Sequence, residues 1–486
     1  MFRLGQAGTL ILSAALFGAA VAAPWHPDPA IRRATGIVLA ALVLWIGEAA
    51  PLGVVALGIP VAATLSGVLT WTEALSAWGD PIVFLFLGTF LLARGLDKHG
   101  VFDRLISLRH DRDGVDAGRL CLLVLAFSGA ISSVQNNTAV TAMLLPVVVT
   151  LARKTSAPAV LLLALSYGAT FGGMAAPVGT APNFIGFAQI KQIAPQFSFL
   201  TWLTVGVPVW MGTTLIGWAV LRVARRWAPA GAAEGVDEGG KATSFESREE
   251  DQAPTGAGLE GRVPRAEHAA AARRWAIGVF LAAAAAWLIS GAIVSFTSPE
   301  DAAQKWVRRY LPESLIPLAG ALILFAARSG SDRRSVLERG DLRSLDWDTL
   351  FLIAGGLCLG KVLDASGAAD ALAGFVVGLR MPPLSLMFAL AGVTVLLSEL
   401  TSNTATASLL VPIAAALAEK SGIPPVQMIL LVALSASLGF ALPISTPPNA
   451  IVYGTRLIPL RLMAGAGLVV DVLALVWVVF CVRVFG

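Results

Sequence analysis

Two stretches decide the fold: Ser132–Pro146, SSVQNNTAVTAMLLP, and Ser398–Pro412, SELTSNTATASLLVP. Each sets a run of hydroxyl and carboxamide side chains at the head of an apolar segment that carries a proline. They stand in one register, with Asn137, Thr138 and Pro146 recurring 266 residues later as Asn403, Thr404 and Pro412. The same shift carries Pro177, Thr180, Pro182 and Asn183 onto Pro443, Thr446, Pro448 and Asn449. A third block, FLFLGTFLLARGLDKHG at Phe84–Gly100, matches FLIAGGLCLGKVLDASG at Phe351–Gly367 with a shift of 267. Three separated blocks in nearly one register mark an internal repeat.

The chain around these blocks belongs in a membrane. Of its 486 residues 56% are hydrophobic and 14% charged, where an ordinary soluble domain carries about 25% charge. Mean hydropathy is +0.76. Apolar runs of about 17 to 25 residues recur, each long enough to cross the hydrocarbon layer as a helix. The runs are continuous, without the alternation of a barrel strand. The expected fold is therefore an all-α membrane protein with about 11 transmembrane segments. Cys121, Cys358 and Cys481 sit singly in apolar sequence with no metal or disulfide spacing. The net charge of +4 resides in loops, where basic residues act as topology signals; no nucleic-acid partner is expected.

Spans are expected near 8–23, 34–50, 52–71 and 81–97, followed by two short arms over 119–153. The first of these, behind Arg3 and ending in alanines, also fits a cleavable signal peptide. A long segment over 158–190 and a span near 200–222 complete a first membrane half, residues 1–224. Residues 225–274 are rich in Gly, Ala, Glu and Arg, the composition of a flexible cytoplasmic linker. The second half, 275–486, repeats the order with spans near 275–296, 314–327 and 347–363, arms over 383–419, a long segment over 425–457 and a span near 462–482. Most Lys and Arg residues fall inside if the N-terminus is cytoplasmic and the C-terminus periplasmic, in a multi-pass protein of a bacterial-type inner membrane. That topology makes the two repeats inverted, an arrangement common in secondary transporters.

Arms of about 15 residues are too short to span, and the polar run lies between them. Each pair reads as a re-entrant helical hairpin whose tip exposes the carbonyl end of one arm and the amide end of the next. Those ends suit a cation and an anion respectively. The second signal is the pair Pro177–Asn183, PVGTAPN, and Pro443–Asn449, PISTPPN. Proline removes a donor and frees a carbonyl, so each long segment breaks into half-helices. Carbonyls near Gly179 and Ser445, with Asn and Ser oxygens of the tips, offer a hard-oxygen shell for Na+. Neutral groups at Thr138, Thr404, Thr180 and Thr446 offer a carboxylate or sulfate a grip weak enough to release. The structural alternative is that the tip residues only bond helix to helix and the prolines only kink. Glu399 is read as the single intramembrane acid beside the second tip, in a structural pairing or a proton role. The histidines, His26, His99, His110 and His268, fall in loops, and the spans hold no Ser/His, paired-Asp or metal constellation, so no enzyme activity is expected. A channel suits broken helices around a neutral site less well than a carrier does.

At these residues the sequence resembles the divalent anion/sodium symporter family of dicarboxylate, citrate and sulfate carriers, over nearly the whole chain. The marks are SNTATASLLVP from Ser402, GTAPN from Gly179 and STPPN from Ser445. The resemblance implies one Na+ held by Ser132, Asn136, Asn137 and Gly179, and another by Ser398, Thr401, Asn403 and Ser445. It implies substrate contacts from Asn136, Asn137, Thr138, Ser402, Asn403, Thr404, Thr446 and Pro447. It also implies a homodimer in the lipid bilayer, moving a divalent anion such as a C4-dicarboxylate with sodium by an elevator motion. A sulfate or other inorganic anion symporter and a sodium-independent dicarboxylate exchanger are the alternatives. The first tip departs from the family pattern, with Asn136 where Ser is usual; an Asn-Asn-Thr tip is similar to some sulfate-type members.

Overall fold

Continuous apolar runs that open on proline leave the backbone one arrangement that satisfies its own polar groups, the α-helix. The computed structural model describes residues 5–47, 49–101, 117–153, 155, 157–225, 266–298, 300–329, 334–378 and 380–486. Over these it is helical almost throughout. Helices α1 (Gln6–Ala22), α2 (Pro29–Ile46), α3 (Leu52–Leu65), the short α4 (Trp71–Ser76) and α5 (Pro81–Lys98) precede a pair, α6 (Ala117–Ser132) and α7 (Asn137–Arg153). Then come α8 (Pro158–Gly173), α9 (Ala181–Ile193) and α10 (Phe199–Ala224). After 226–265 follow α11 (Ala266–Phe296), α12 (Ala302–Tyr310), α13 (Leu315–Ala326) and the two-residue strands β1 (Arg328–Ser329) and β2 (Arg334–Ser335), antiparallel with Arg328 opposite Ser335. The chain closes with α14 (Trp347–Ser366), α15 (Ala368–Gly378), the pair α16 (Pro383–Leu400) and α17 (Asn403–Ser421), then α18 (Pro425–Ser435), α19 (Pro447–Tyr453) and α20 (Leu460–Phe485).

Local chemistry accounts for many ends. Pro29, Pro81, Pro158, Pro383 and Pro425 open helices, where a missing N–H costs nothing. Asp28 and Asp80 cap α2 and α5 by accepting from Ala30 N at 2.8 Å and Ile82 N at 2.9 Å. Gly367 and Gly422 close α14 and α17 with φ of 72° and 70°, a conformation that strains a side chain.

Six helices are long and apolar enough to cross a membrane among the described residues, and α12 with α13, bent by 51°, make a seventh candidate. Several remaining segments of the expected set are shorter apolar helices of 10–17 residues, including α1, α3, α6, α7, α8 and α18. The hairpin arms are 16, 17, 18 and 19 residues long, longer than expected. The body of the expected linker, 226–265, and His110 lie outside the described residues. Helix α11 begins within that expected linker, so His268 stands in its first turn and not in a loop.

The most buried segments are α8 and α18. Every residue of α8 from Ala159 to Gly173 is buried, as is α18 from Gln427 to Ser435. Their partners interlock the two halves of the sequence: α9 packs on α17 and α18, while α19 packs on α7 and α8. A Cβ at Gly172 would overlap the Gly129 backbone, so α6 and α8 touch main chain to main chain. Helices α10, α11 and α20 instead present Met211, Leu215, Leu281, Ile289, Leu468, Val472 and Val484 outward, an apolar girdle suited to lipid.

Candidate functional site

The first tip, 133–136, turns between α6 and α7. Asn136 faces outward and its Oδ1 accepts from Thr138 N at 2.8 Å and Ala139 N at 3.4 Å, capping α7. Ser132, fully buried, sits behind the tip with Oγ 2.6 Å from Asn137 Oδ1 and 3.4 Å from the Gln135 carbonyl. Asn137 Oδ1 also abuts Gly173, where a Cβ would collide with it.

The second tip repeats this geometry with a sharper turn at Thr401 and Ser402. Ser398, also fully buried, has Oγ 2.7 Å from Asn403 Oδ1 and 2.6 Å from the Ala436 carbonyl. One hydroxyl hydrogen thus faces two acceptors in each tip, and a small cation would satisfy the surplus oxygens. The sets are neutral and oxygen-only, which fits Na+. Thr401 Oγ1 lies 2.9 Å from the Leu397 carbonyl and 2.9 Å from Thr406 Oγ1. Ser402 makes no side-chain cap on α17, so the first-turn amides there stay open, unlike those of α7.

Two buried asparagines hold the breaks. Asn183 Nδ2 donates to the carbonyls of Gly173 at 2.9 Å and Ala176 at 2.8 Å. Asn449 Nδ2 donates to Gly439 and Leu442, each at 3.0 Å, the same positions in the repeat register. Thr446 caps α19 by accepting from Asn449 N at 3.3 Å, whereas Thr180 opens α9 without a side-chain cap. Gly179 is buried against Gly173, with no room for a Cβ.

Tips and breaks meet on one open cavity of about 1070 Å³. Asn136, Asn137, Thr138, Gly179, Thr401, Ser402, Asn403, Thr404, Ser445, Thr446 and Pro447 all line it, joined by Thr180 and Pro448. Ser132 and Ser398 do not; they lie behind the tips, at the carbonyl ends of α6 and α16. The residues that open α7, α9, α17 and α19 (Asn136, Thr180, Ser402 and Thr446) all face the cavity. Four helix amide ends therefore face the cavity and favour an anion there, while Ser132 and Ser398, near the carbonyl ends of α6 and α16, lie off its lining; Leu400 and Thr401, which end α16, do line it. Among the described residues no Lys, Arg or His lines the cavity, while Asp346 and Asp348, both exposed, do.

Glu399 is a brace. Its carboxylate accepts from Ala441 N at 2.8 Å, from Leu442 N at 3.2 Å and from the Ser445 hydroxyl, tying the second tip to the second break. It is not the single intramembrane acid expected from the sequence. Asp471 of α20, 3% exposed, accepts from Phe440 N at 3.3 Å and brings its carboxyl within hydrogen-bonding reach of Glu399. Three further groups are absent from the sequence-based expectation: the Ala436 carbonyl, Gln135 and Ser166. Only Gln135 carries a signal, as one more carboxamide in the polar run of the first tip. Lys361 Nζ donates to Ser76 Oγ at 2.6 Å, away from the cavity lining.

A family model described as citrate transporter matches residues 42–422 and again 383–485. A sodium-dependent dicarboxylate transporter of Staphylococcus saprophyticus is 26% identical over 504 residues, covering 99% of this chain and 91% of the relative. One from Staphylococcus aureus is 26% identical over 513 residues with the same coverage of both chains, 99% and 91%. Matches of this length, over a helical chain with helices long and apolar enough to cross a membrane, describe a transporter and not an enzyme: the chain belongs to the citrate transporter family.

Proposed function

We propose that this protein is a secondary active transporter that carries a divalent anion, best a C4-dicarboxylate, together with Na+. The observation that carries the reading is the cavity on which both tips and both breaks converge, with four helix amide ends facing it. A dianion there meets hydroxyls, carboxamides and open main-chain amides at Asn403 and Thr404, with no fixed cation among the described lining residues to trap it. Na+ enters behind each tip, one with Ser132, Asn136, Asn137 and Gly179, the other with Ser398, Thr401, Asn403 and Ser445. Because Asn137 and Asn403 belong to both shells, an occupied cation site fixes the tip amides for the anion. The sodium-dependent dicarboxylate transporters among the relatives support this pairing of ions.

The two halves act as inverted repeats, each with a re-entrant hairpin and a broken helix. In a homodimer, the hairpins and broken helices travel as an elevator against the remaining helices. The protein lies in an inner membrane with its N-terminus and the 225–274 segment cytoplasmic and its C-terminus periplasmic. Asn136, exposed in the cavity, favours a second reading in which sulfate shares the site, since its carboxamide adds donors that serine lacks.

Uptake of labelled succinate into proteoliposomes, competed with citrate and with sulfate, tests the substrate. Saturable succinate uptake, inhibited weakly by sulfate, is expected. Uptake of sulfate but not of succinate moves the protein to the inorganic-anion class, and no flux of any of the three removes the reading.

A further inference from the structure

We infer that Gln135 supplies a ligand to the first Na+ through its side-chain oxygen, an inference that rests on the sodium coupling proposed above. Gln135 is 5% exposed, and its Oε1 is buried without a hydrogen-bond partner. A buried acceptor left without a donor is costly, and an apolar side chain here would avoid that cost. The residue sits between Ser132 and Asn137, the two side chains whose oxygens already crowd one hydrogen, and its own carbonyl is 3.4 Å from Ser132 Oγ.

The tip buries this residue. Its neighbours Asn136, Asn137 and Thr138 line the cavity, whereas Gln135, like Ser132, does not. Asn136 Oδ1 already accepts from two main-chain amides, while Gln135 Oε1 accepts from none. In the repeat register Gln135 stands where the second half has Thr401, whose hydroxyl is occupied at 2.9 Å by the Leu397 carbonyl. The halves thus differ at this position: the first offers a carboxamide oxygen that accepts from no donor, the second a hydroxyl whose hydrogen already goes to a carbonyl. The outcome is a tighter or more selective first cation site, built from Ser132, Gln135 and Asn137.

The test is thermal unfolding of the purified full-length protein without substrate, titrated with NaCl against choline chloride at constant ionic strength. Wild type is expected to gain stability with NaCl; no gain over choline overturns the sodium coupling itself, whatever Gln135 does. Given that gain, Gln135→Met is expected to raise the half-saturating NaCl concentration by at least about fivefold. Its sodium-free melting temperature is expected to hold or rise, because the orphaned acceptor is gone. A merely structural Gln135 would give a lower sodium-free melting temperature with an unchanged sodium midpoint, which overturns the inference. If Gln135→Met does not fold, the isosteric Gln135→Glu decides: a midpoint lowered by about fivefold or more supports the inference, and an unchanged one overturns it.

Discussion

Ser166 Oγ donates to Asn449 Oδ1 at 2.6 Å, and both residues are wholly buried. The bond joins α8, which packs on the first tip, to α19, which lines the cavity beside the second. Its mirror image is missing: the register puts Val432 in the place of Ser166, and Asn183 Oδ1 is correspondingly buried without a partner. Ser166→Val is expected to destabilise the protein by about 1–3 kcal/mol, since it orphans Asn449 Oδ1. Val432→Ser is expected to be neutral or stabilising, although it adds a hydroxyl to the core. Unfolding in mixed micelles checks both, and equal losses for the two would refute the pairing.

Gly173 borders Asn137 so closely that a methyl there displaces the carboxamide. Gly173→Ala is expected to weaken sodium affinity about 10- to 100-fold, the range for disturbing the support of a metal ligand. Gly392→Ala is the control, because a methyl at Gly392 would meet nothing within 4 Å. Sodium dependence of uptake at saturating substrate reads the difference.

Glu399→Gln replaces one of two accepting oxygens by a donor that faces the amides of Ala441 and Leu442. The expected cost is about 1–3 kcal/mol in unfolding free energy, with loss of most uptake. Unchanged uptake would mean that the second tip does not depend on this brace.

Outside the membrane-spanning helices, Asp341 receives Lys98 Nζ at 2.7 Å and Arg94 Nε at 3.2 Å. Burial raises its pKa, but hydrogen bonds from Lys98 and the Glu338 amide, the Lys98 charge and the Arg94 hydrogen bond outweigh that and hold the carboxyl below its ordinary value. A depressed folded-state pKa contributes stability that is complete above the ordinary carboxylate range and fades as pH falls through the folded value. Melting temperature is expected to drop on acidification more steeply in wild type than in Asp341→Asn, and identical slopes would count against the network.

Much of this architecture is written locally. The tips and breaks announce themselves because polar residues and prolines are costly inside apolar runs, so Ser132, Asn137, Ser398, Asn403 and the PVGTAPN and PISTPPN segments stand out. The sequence says less where the partner is distant. Asp471 is one acid in the apolar helix α20, and nothing local connects it to Glu399. Ser166 is one hydroxyl in LLLALSYG, a residue type that usually bonds its own helix. Composition makes the hairpin arms come out short because apolar character fades before the helix ends, as at Ser421. The capping bond of Asn136 depends on the tip's turn, which composition does not encode.

The most direct test of the central claim is a dual-label flux measurement in one set of proteoliposomes. Labelled succinate and labelled Na+ are followed together, with internal counter-anion absent. The account predicts that each flux requires the other: succinate entry stops when choline replaces external sodium, and sodium entry rises when succinate is added. Succinate entry that ignores sodium and appears only with a dicarboxylate trapped inside would contradict it and make the protein an exchanger.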